Sequence, residues 1–205
     1  MEIKLIHLGK RFNREWIFRN IDYTFNSSNC YAITGSNGSG KSTLLQVIAG
    51  SMMHNEGEIK YTNQNLPNTN PSEKNFKNIA IVAPYLELIE EMTAGEMIQF
   101  HRIFKQLTNS DAEILQTIGL THAENKQIRY FSSGMKQRLK LGLAFFSNTE
   151  ILLLDEPCTN LDNAGIELYH KLIQCHSQQK LVIVCSNDKT EYNFCKEIIS
   201  IEKYK

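Results

Sequence analysis

Eight consecutive residues in the first quarter of the chain have the types and spacing that suit phosphate binding. The segment Gly35-Ser36-Asn37-Gly38-Ser39-Gly40-Lys41-Ser42 fits G-x-x-x-x-G-K-[ST] without a mismatch, between an apolar run and a helical pattern. Glycines let the backbone curl so that its N–H groups converge on phosphate oxygens, and a helix start adds its positive dipole end. The segment therefore predicts a bound nucleoside triphosphate, held from Gly35 to Thr43. Lys41 would reach the β- and γ-phosphates, and the Ser42 hydroxyl would ligate Mg²⁺.

A second set of reactive groups follows an almost wholly apolar run. Four aliphatic residues, Ile151–Leu154, are followed directly by Asp155 and Glu156. A buried parallel strand that ends this way places its acids at the carboxyl edge of the sheet, where open α/β sheets bind ligands. We expect Asp155 to hold Mg²⁺ directly or through water, and Glu156 to act as base on an attacking water. The alternative, a solvated turn, is disfavoured by the phosphate loop upstream.

A parallel sheet must position these groups, and the chain pattern predicts one. Short apolar runs alternate with helical periodicity, which is typical of an α/β fold around a mainly parallel sheet. The predicted strands are Glu2–Leu8, Trp16–Phe25, Cys30–Thr34, Glu58–Thr62, Ile79–Ala83, Ile151–Leu154, Leu181–Cys185 and Ile198–Glu202. The predicted helices are Lys41–Ala49, Ala94–Phe104, Ala112–Ile118, Gly134–Phe146, Asn163–Cys175 and Lys189–Lys196.

The arrangement of these elements predicts a single domain over residues 1–205. The early strands mix polar and apolar residues, as a half-exposed antiparallel edge does. Residues 85–146 show a helical pattern, which predicts a helical subdomain inserted into a core made of roughly 1–84 and 147–205. Residues 62–77 are rich in Asn, Pro, Ser and Thr and predict an exposed loop. Thr93 with Glu96 predicts a capping box, and Asp162 a helix N-cap.

Composition excludes several classes of protein. The 205 residues include 22 basic and 22 acidic side chains, so the formal net charge is zero and nothing favours nucleic acid as a partner. The five cysteines form no C-x-x-C pair and no zinc spacing, and several lie in apolar runs, so reduced thiols in a cytoplasmic protein are expected. No apolar run approaches the roughly 20 residues that span a bilayer.

A further motif narrows the family. Tyr130-Phe131-Ser132-Ser133-Gly134-Met135-Lys136-Gln137-Arg138 resembles the signature sequence of ABC-type ATPases, usually written L-S-G-G-Q. Ser132 and Gly134 keep the family residues, whereas Phe131, Ser133 and Met135 replace them. Downstream, Thr159-Asn160-Leu161-Asp162 is similar to the family's D-loop. Together these motifs cover nearly the whole chain in the family's order.

The resemblance implies a P-loop NTPase fold and a head-to-tail homodimer that sandwiches two ATP molecules with Mg²⁺. Each ATP would be held by the phosphate loop of one subunit and by Ser132, Ser133, Gly134 and Met135 of the other. These residues would open a helix whose N-terminus faces the γ-phosphate across the interface. The resemblance also implies that Phe12 stacks on adenine, with Trp16 as the alternative, and that Asp162 serves as the D-loop acid.

Two positions depart from the family pattern. A glutamine that contacts Mg²⁺ normally follows the strand here predicted at 79–83, and Pro84 falls about there. A histidine normally bonds the γ-phosphate after the next-to-last strand, where this chain has Asn187. Proline offers no polar side-chain group, and asparagine donates a hydrogen bond but carries no proton or charge. These departures predict slow or differently timed hydrolysis, with Glu156 still present to activate water.

The leading hypothesis is therefore the ATP-hydrolysing subunit of an ABC transporter, bound to the inner face of the membrane through a separate transmembrane subunit. Residues 85–97 are the predicted surface for that subunit, and the short cassette favours export by analogy. A soluble ABC-type ATPase acting on DNA or ribosomes is disfavoured by the single cassette and the absence of heptads and a basic patch. A third hypothesis is an ATP-operated switch that barely hydrolyses.

Overall fold

A computed structural model of the chain describes residues 1–62 and 75–205. Most of the loop predicted at 62–77 lies outside the described residues. The strands are β1 (Glu2–Phe12), β2 (Glu15–Asn26), β3 (Cys30–Thr34), β4 (Glu56–Thr62), β5 (Ile79–Val82), β6 (Ile151–Asp155), β7 (Leu181–Cys185) and β8 (Glu197–Ser200). The α-helices are α1 (Lys41–Ala49), α2 (Ala94–Phe104), α3 (Asp111–Thr117), α4 (Ser133–Phe145), α5 (Asn163–His176) and α6 (Lys189–Tyr192).

The strands form two sheets that differ in direction and exposure. One sheet has the order β5-β6-β7-β3-β8, with every neighbouring pair parallel. The other has the order β2-β1-β4 and is antiparallel, so these strands form a sheet of their own beside the parallel one. The predicted α/β fold with a parallel core is confirmed. Strands β6 and β7 are buried at every position, as expected where both faces of a parallel sheet are covered.

Each face of the parallel sheet packs into its own hydrophobic core. Along β6, Leu152 and Leu154 pack with apolar residues of α2, α3, α4 and α5. Ile151 and Leu153 face the opposite side and pack with α1 and the antiparallel sheet. The period-two alternation of a strand therefore divides the molecule into a helical side and a side that carries the phosphate loop.

The helical segment between β5 and β6 is fixed by its caps. Thr93 and Glu96 form the predicted capping box at the start of α2, and Ser110 with Glu113 forms a second one at α3. No helix within residues 1–62 and 75–205 is long and apolar enough to cross a membrane.

The C-terminal boundaries differ from the sequence prediction. Helix α6 ends at Tyr192 rather than Lys196, because the chain must turn before β8 begins at Glu197. Strand β8 ends at Ser200, and residues Ile201–Tyr204 form a 3-10 helix instead of continuing the strand. Ile201 is fully buried against the phosphate-loop side of the core, and this apolar contact turns the chain.

Candidate nucleotide-binding site

The predicted phosphate loop joins β3 to α1 at the carboxyl edge of the parallel sheet. Gly40 immediately precedes α1 with φ 104° and ψ 9°, a left-handed conformation that favours glycine. A Cβ at Gly40 would lie 2.4 Å from Cγ2 of Ile17 on β2, so the antiparallel sheet leaves no room for a side chain there. The conformation of the loop thus depends on its own glycines and on its contact with the antiparallel sheet.

Lys41 folds back over the loop that it follows. Its Nζ donates hydrogen bonds to the carbonyl oxygens of Gly35 at 2.7 Å and Ser36 at 3.2 Å. The residue is only 5% exposed, which is rare for lysine and places its charge at the centre of the loop. Beside it, the hydroxyl of Ser39 is buried without a hydrogen-bond partner. A charge and a hydroxyl held in this way suit a phosphate group.

Asp155 lies on the last position of β6, beside the start of α1. Its side chain is almost fully buried, and Oδ1 has no hydrogen-bond partner. Burial raises the pKa of this carboxyl, while a hydrogen bond from Ser42 and the charge of Lys41 act in the opposite direction. A buried carboxylate oxygen without a donor, next to a serine hydroxyl, fits a hard cation such as Mg²⁺, which prefers oxygen ligands. Ser42 and Asp155 are the residues that would hold it.

Glu156 leaves the strand in an unusual conformation. Its φ is 44°, which is uncommon for a residue with a side chain, and its N–H donates to the carbonyl of Cys185 at 2.9 Å. Glu156 lines a cavity of about 410 Å³ that also includes Thr159 and Asn187. The candidate base and the candidate γ-phosphate residue therefore share one cavity.

Asn187 contacts the phosphate loop directly. Its Oδ1 accepts a hydrogen bond from the N–H of Gly35 at 3.3 Å, and its Nδ2 donates to Oδ1 of Asn37 at 3.1 Å. The structure thus brings Asn187 together with the phosphate loop although 150 residues separate it from Asn37 in the chain. Its amide is positioned to donate to a phosphate.

The signature residues lie at the exposed start of α4. Ser132 is the N-cap, and its Oγ accepts a hydrogen bond from the N–H of Met135 at 3.2 Å. Ser132 and Ser133 are exposed, and the ideal Cβ position of Gly134 lies 3.1 Å from the carbonyl oxygen of Asn160. The helix therefore presents its N-terminus to the outside, where a second molecule could meet it.

Asp162 is the N-cap of α5, as predicted. Its Oδ1 accepts from the N–H of Gly165 at 2.8 Å and from the guanidinium of Arg138 at 2.8 Å. These hydrogen bonds lower the pKa of Asp162. Asp162, the acid of the D-loop, is thereby hydrogen-bonded to α4, the helix that begins at the signature residues.

The two aromatic candidates for adenine differ in their surroundings. Phe12 is 45% exposed at the end of the β1–β2 hairpin, with Nζ of Lys10 4.9 Å from the ring centroid. The ring of Trp16 is occupied by the guanidinium groups of Arg11 and Arg19, at 5.5 and 4.5 Å. Phe12 therefore has the freer face, and it stays the candidate for stacking.

Sequence reasoning missed two residues beside the phosphate loop and the acids. The Tyr85 hydroxyl hydrogen-bonds to Gln46, and burial together with the charge of Asp155 raises the pKa of Tyr85 to about 12. Tyr85 thus directs a polar group toward Gln46 of α1, directly after Pro84 in the chain. Glu202 accepts hydrogen bonds from the N–H and Oγ of Ser36, at 2.9 and 2.8 Å. No motif marks either residue, because both reach the site through tertiary packing.

Comparisons with known proteins agree with this geometry. A sequence model described as ABC transporter matches residues 18–159. The chain belongs to the ABC transporter family. Among family members, it is 31% identical over 194 residues to the uncharacterized ABC transporter ATP-binding protein YybJ of Bacillus subtilis, covering 92% of this chain and 87% of that one. It is 27% identical over 207 residues to the cytochrome c biogenesis ATP-binding export protein CcmA of Haemophilus influenzae, covering 100% and 97%.

Solved ABC cassettes share the fold. The dimeric structure of the bacterial cassette MJ0796 has a TM-score of 0.82 with this chain at 24% identity, covering 97% of this chain and 93% of that one. An ATP-binding protein from Pyrococcus furiosus, described as a putative ABC transporter, has a TM-score of 0.81 at 20% identity, covering 100% and 99%. The predicted family and fold are both confirmed.

Proposed function

We propose that this chain binds ATP with Mg²⁺ and hydrolyses it to ADP and phosphate, as the subunit that powers an ABC transporter. The observation that carries the proposal is the buried Oδ1 of Asp155, which has no donor and lies beside Ser42 at the edge of the phosphate loop. A buried carboxylate oxygen without a donor is costly unless a cation or another donor binds it. Mg²⁺ bound with a nucleotide is such a cation, and it would neutralise charge on the β- and γ-phosphates.

The proposed mechanism assigns a role to each group around the γ-phosphate. Lys41 would exchange its carbonyl partners in the loop for the β- and γ-phosphate oxygens. Glu156 would accept the proton of the attacking water. The amide of Asn187 would donate to the γ-phosphate, and since it cannot carry a proton, Glu156 is left as the only titrating side chain of this pair. The exposed ring of Phe12 would stack on adenine.

The active form proposed is a head-to-tail homodimer with two ATP molecules between the subunits. Helix α4 begins at the surface with Ser132 as N-cap, so Ser132–Met135 are free to meet the γ-phosphate of a partner. The MJ0796 cassette is described as dimeric, which supports the same assembly here. Charge on the phosphates would then be stabilised by the phosphate loop of one subunit and the start of α4 of the other.

A separate membrane subunit would dock on residues 85–97. Tyr85, Leu86 and Ile89 are exposed apolar side chains in this segment. Leu86 also borders a cavity of about 240 Å³ between β5 and the helices α2 and α4, which is lined mainly by apolar residues. Because the charge of Asp155 acts on the pKa of the Tyr85 hydroxyl, this segment would connect the nucleotide to the docking surface. The chain would then work at the inner face of the membrane, and export is the favoured direction since CcmA is named an export protein.

Steady-state ATP hydrolysis by the purified chain, with Lys41→Ala and Glu156→Gln beside it, tests the proposal. We expect both variants to lose turnover, and we expect Glu156→Gln with ATP and Mg²⁺ to elute from gel filtration as a dimer. Tight ATP binding without turnover by the wild type would support the ATP-operated switch instead. Turnover that survives Glu156→Gln, or a strictly monomeric variant, would contradict the assigned base or the sandwich.

A further inference from the structure

A single peptide group next to Glu156 is held from both ends by buried side chains. The carbonyl oxygen of Pro157 accepts a hydrogen bond from Nε2 of Gln137 at 2.7 Å. The N–H of Cys158, which belongs to the same peptide plane, donates to Oε1 of Glu191 at 2.7 Å. We call this group the 157–158 peptide. Its two partners come from different helices, since Gln137 lies on α4 and Glu191 on α6.

Both partners are themselves fixed. Gln137 and Glu191 are each 5% exposed, so neither side chain is free to take another rotamer in solvent. The carbonyl of Glu191 also accepts from the hydroxyl of the fully buried Tyr169 at 2.7 Å, which anchors the short helix α6. Burial raises the pKa of the Glu191 carboxyl, and the nearby hydroxyl of Ser186, the residue before Asn187, acts in the opposite direction. The same carboxyl therefore reaches both sides of the cavity shared by Glu156 and Asn187.

The backbone at Glu156 needs such support. With φ 44°, Glu156 is in a left-handed conformation that is unfavourable for a residue with a side chain. A strained residue of this kind persists only where its surroundings over-determine it. The strand fixes one side of Glu156 through the hydrogen bond from its N–H to the carbonyl of Cys185, and on the other side only Pro157 lies between Glu156 and the 157–158 peptide.

We propose that Gln137 and Glu191 are positioning residues for Glu156, holding its carboxylate in the place from which it accepts a proton. This inference rests on the proposed function, because it presumes that Glu156 acts on water. The buried Oε2 of Glu191, which has no hydrogen-bond partner, argues for a role beyond packing. Leaving Oε2 without a donor costs stability, whereas Oε1, which accepts from the N–H of Cys158, is the oxygen that the positioning role requires.

The arrangement also joins the signature helix to the base within one chain. Gln137 lies one turn beyond Ser133 on α4. The next residue, Arg138, donates a hydrogen bond to Asp162, the N-cap of α5. A displacement of α4 would pull on the Pro157 carbonyl through Gln137. The position of Glu156 would then depend on whether the start of α4 is engaged.

Variants of similar volume separate positioning from packing. Gln137→Met removes the donor to Pro157, Glu191→Met removes the acceptor for Cys158, and Glu191→Gln keeps one acceptor oxygen. We expect each Met variant to lower kcat by about 10- to 100-fold, since small misplacements of a catalytic group have effects of this size. KM and the affinity for a fluorescent ATP analogue should stay within about two-fold of wild type, and Glu191→Gln should recover most of the turnover.

Two further readouts complete the experiment. The two Met changes combined should cost less than the product of their single effects, because both act on one peptide. Hydrogen exchange followed by mass spectrometry on peptides covering 156–162 should be faster in both Met variants. The exposed Glu167→Gln on α5 is the control and should match wild type in every readout.

The outcomes distinguish this inference from the proposed function. If wild type hydrolyses ATP and the folded Met variants keep kcat within about two-fold, or lose only nucleotide affinity, the positioning role is wrong while the proposed function stands. If wild type shows no turnover at all, both are overturned. Should Glu191→Met fail to fold, Gln137→Met tests the same peptide from its other end.

Discussion

Replacement of Gly40 by alanine tests how the antiparallel sheet and the phosphate loop fit together. Gly40 has φ 104°, so an alanine there costs about 1–2 kcal/mol in backbone strain. Its Cβ would also lie 2.4 Å from Cγ2 of Ile17, closer than real Cβ contacts allow. Because Cγ2 of a β-branched residue is attached next to the backbone, Ile17 cannot swing away, and overpacking adds about 1–3 kcal/mol.

Gly38 provides a matched control within the same loop. Its φ is 76°, but no atom lies within 4 Å of the place where its Cβ would stand. Gly38→Ala should therefore show the strain alone, about 1–2 kcal/mol, and Gly40→Ala about 2–5 kcal/mol. For a chain of this length 1 kcal/mol corresponds to roughly 2–4 °C in Tm. Gly40→Ala should thus melt roughly 2–12 °C below Gly38→Ala.

Thermal unfolding without nucleotide measures both changes, and Ile17→Ala completes a double-mutant cycle. Removal of Cγ2 should eliminate the clash, so the combined Gly40→Ala and Ile17→Ala variant should be more stable than the sum of the single effects predicts, by about 1–3 kcal/mol. Equal melting temperatures for Gly38→Ala and Gly40→Ala would refute the reasoning. So would a coupling energy of zero between positions 17 and 40.

Two other changes have defined outcomes. Burial, and secondarily the charge of Lys105, lowers the pKa of His101 to about 4, so the folded state binds fewer protons than the unfolded state between about pH 4 and 6.5. The free energy of unfolding should therefore fall as the pH drops through this window. His101→Gln, measured by chemical unfolding at several pH values, should flatten this pH dependence of stability, and an unchanged pH dependence would contradict the assignment. Tyr85→Phe keeps the ring but removes the hydroxyl that hydrogen-bonds to Gln46 and whose pKa is raised by the charge of Asp155. The Mg²⁺ concentration for half-maximal turnover should rise about 5-fold, while ATP affinity measured without Mg²⁺ stays the same. Equal shifts in both would place Tyr85 outside the metal site.

Much of the fold was predictable because its signals are local. The apolar runs at Ile151–Leu154 and Leu181–Cys185 predict strands covered on both faces, and both are strands of the parallel sheet. The capping box of Thr93 and Glu96 predicts the start of α2 correctly. The predicted end of β8 at Glu202 was wrong. The strand ends at Ser200 because Ile201 is buried, and no local sequence preference marks this end.

The residues of the candidate site also fall into those that local motifs predict and those that only tertiary contacts bring to the site. The phosphate loop and the pair Asp155 and Glu156 are carried by short motifs, and the structure places them at one edge of the sheet. Tyr85 and Glu202 could not be found from motifs, since each reaches the loop or the acids through contacts between distant segments. The pairing of Gln137 with Glu191 on one peptide is likewise invisible until α4 and α6 are packed.

The position of β3 in the sheet has a consequence for biosynthesis. This strand, which leads into the phosphate loop, pairs only with β7 and β8 among the described residues, so both of its hydrogen-bonding partners come from 181–200. During synthesis, β3 therefore leaves the ribosome with both strand edges unpaired, long before β7 and β8 have been synthesised. A nascent chain that stalls before residue 181 therefore leaves both edges of β3 unpaired, and unpaired strand edges favour association with other chains.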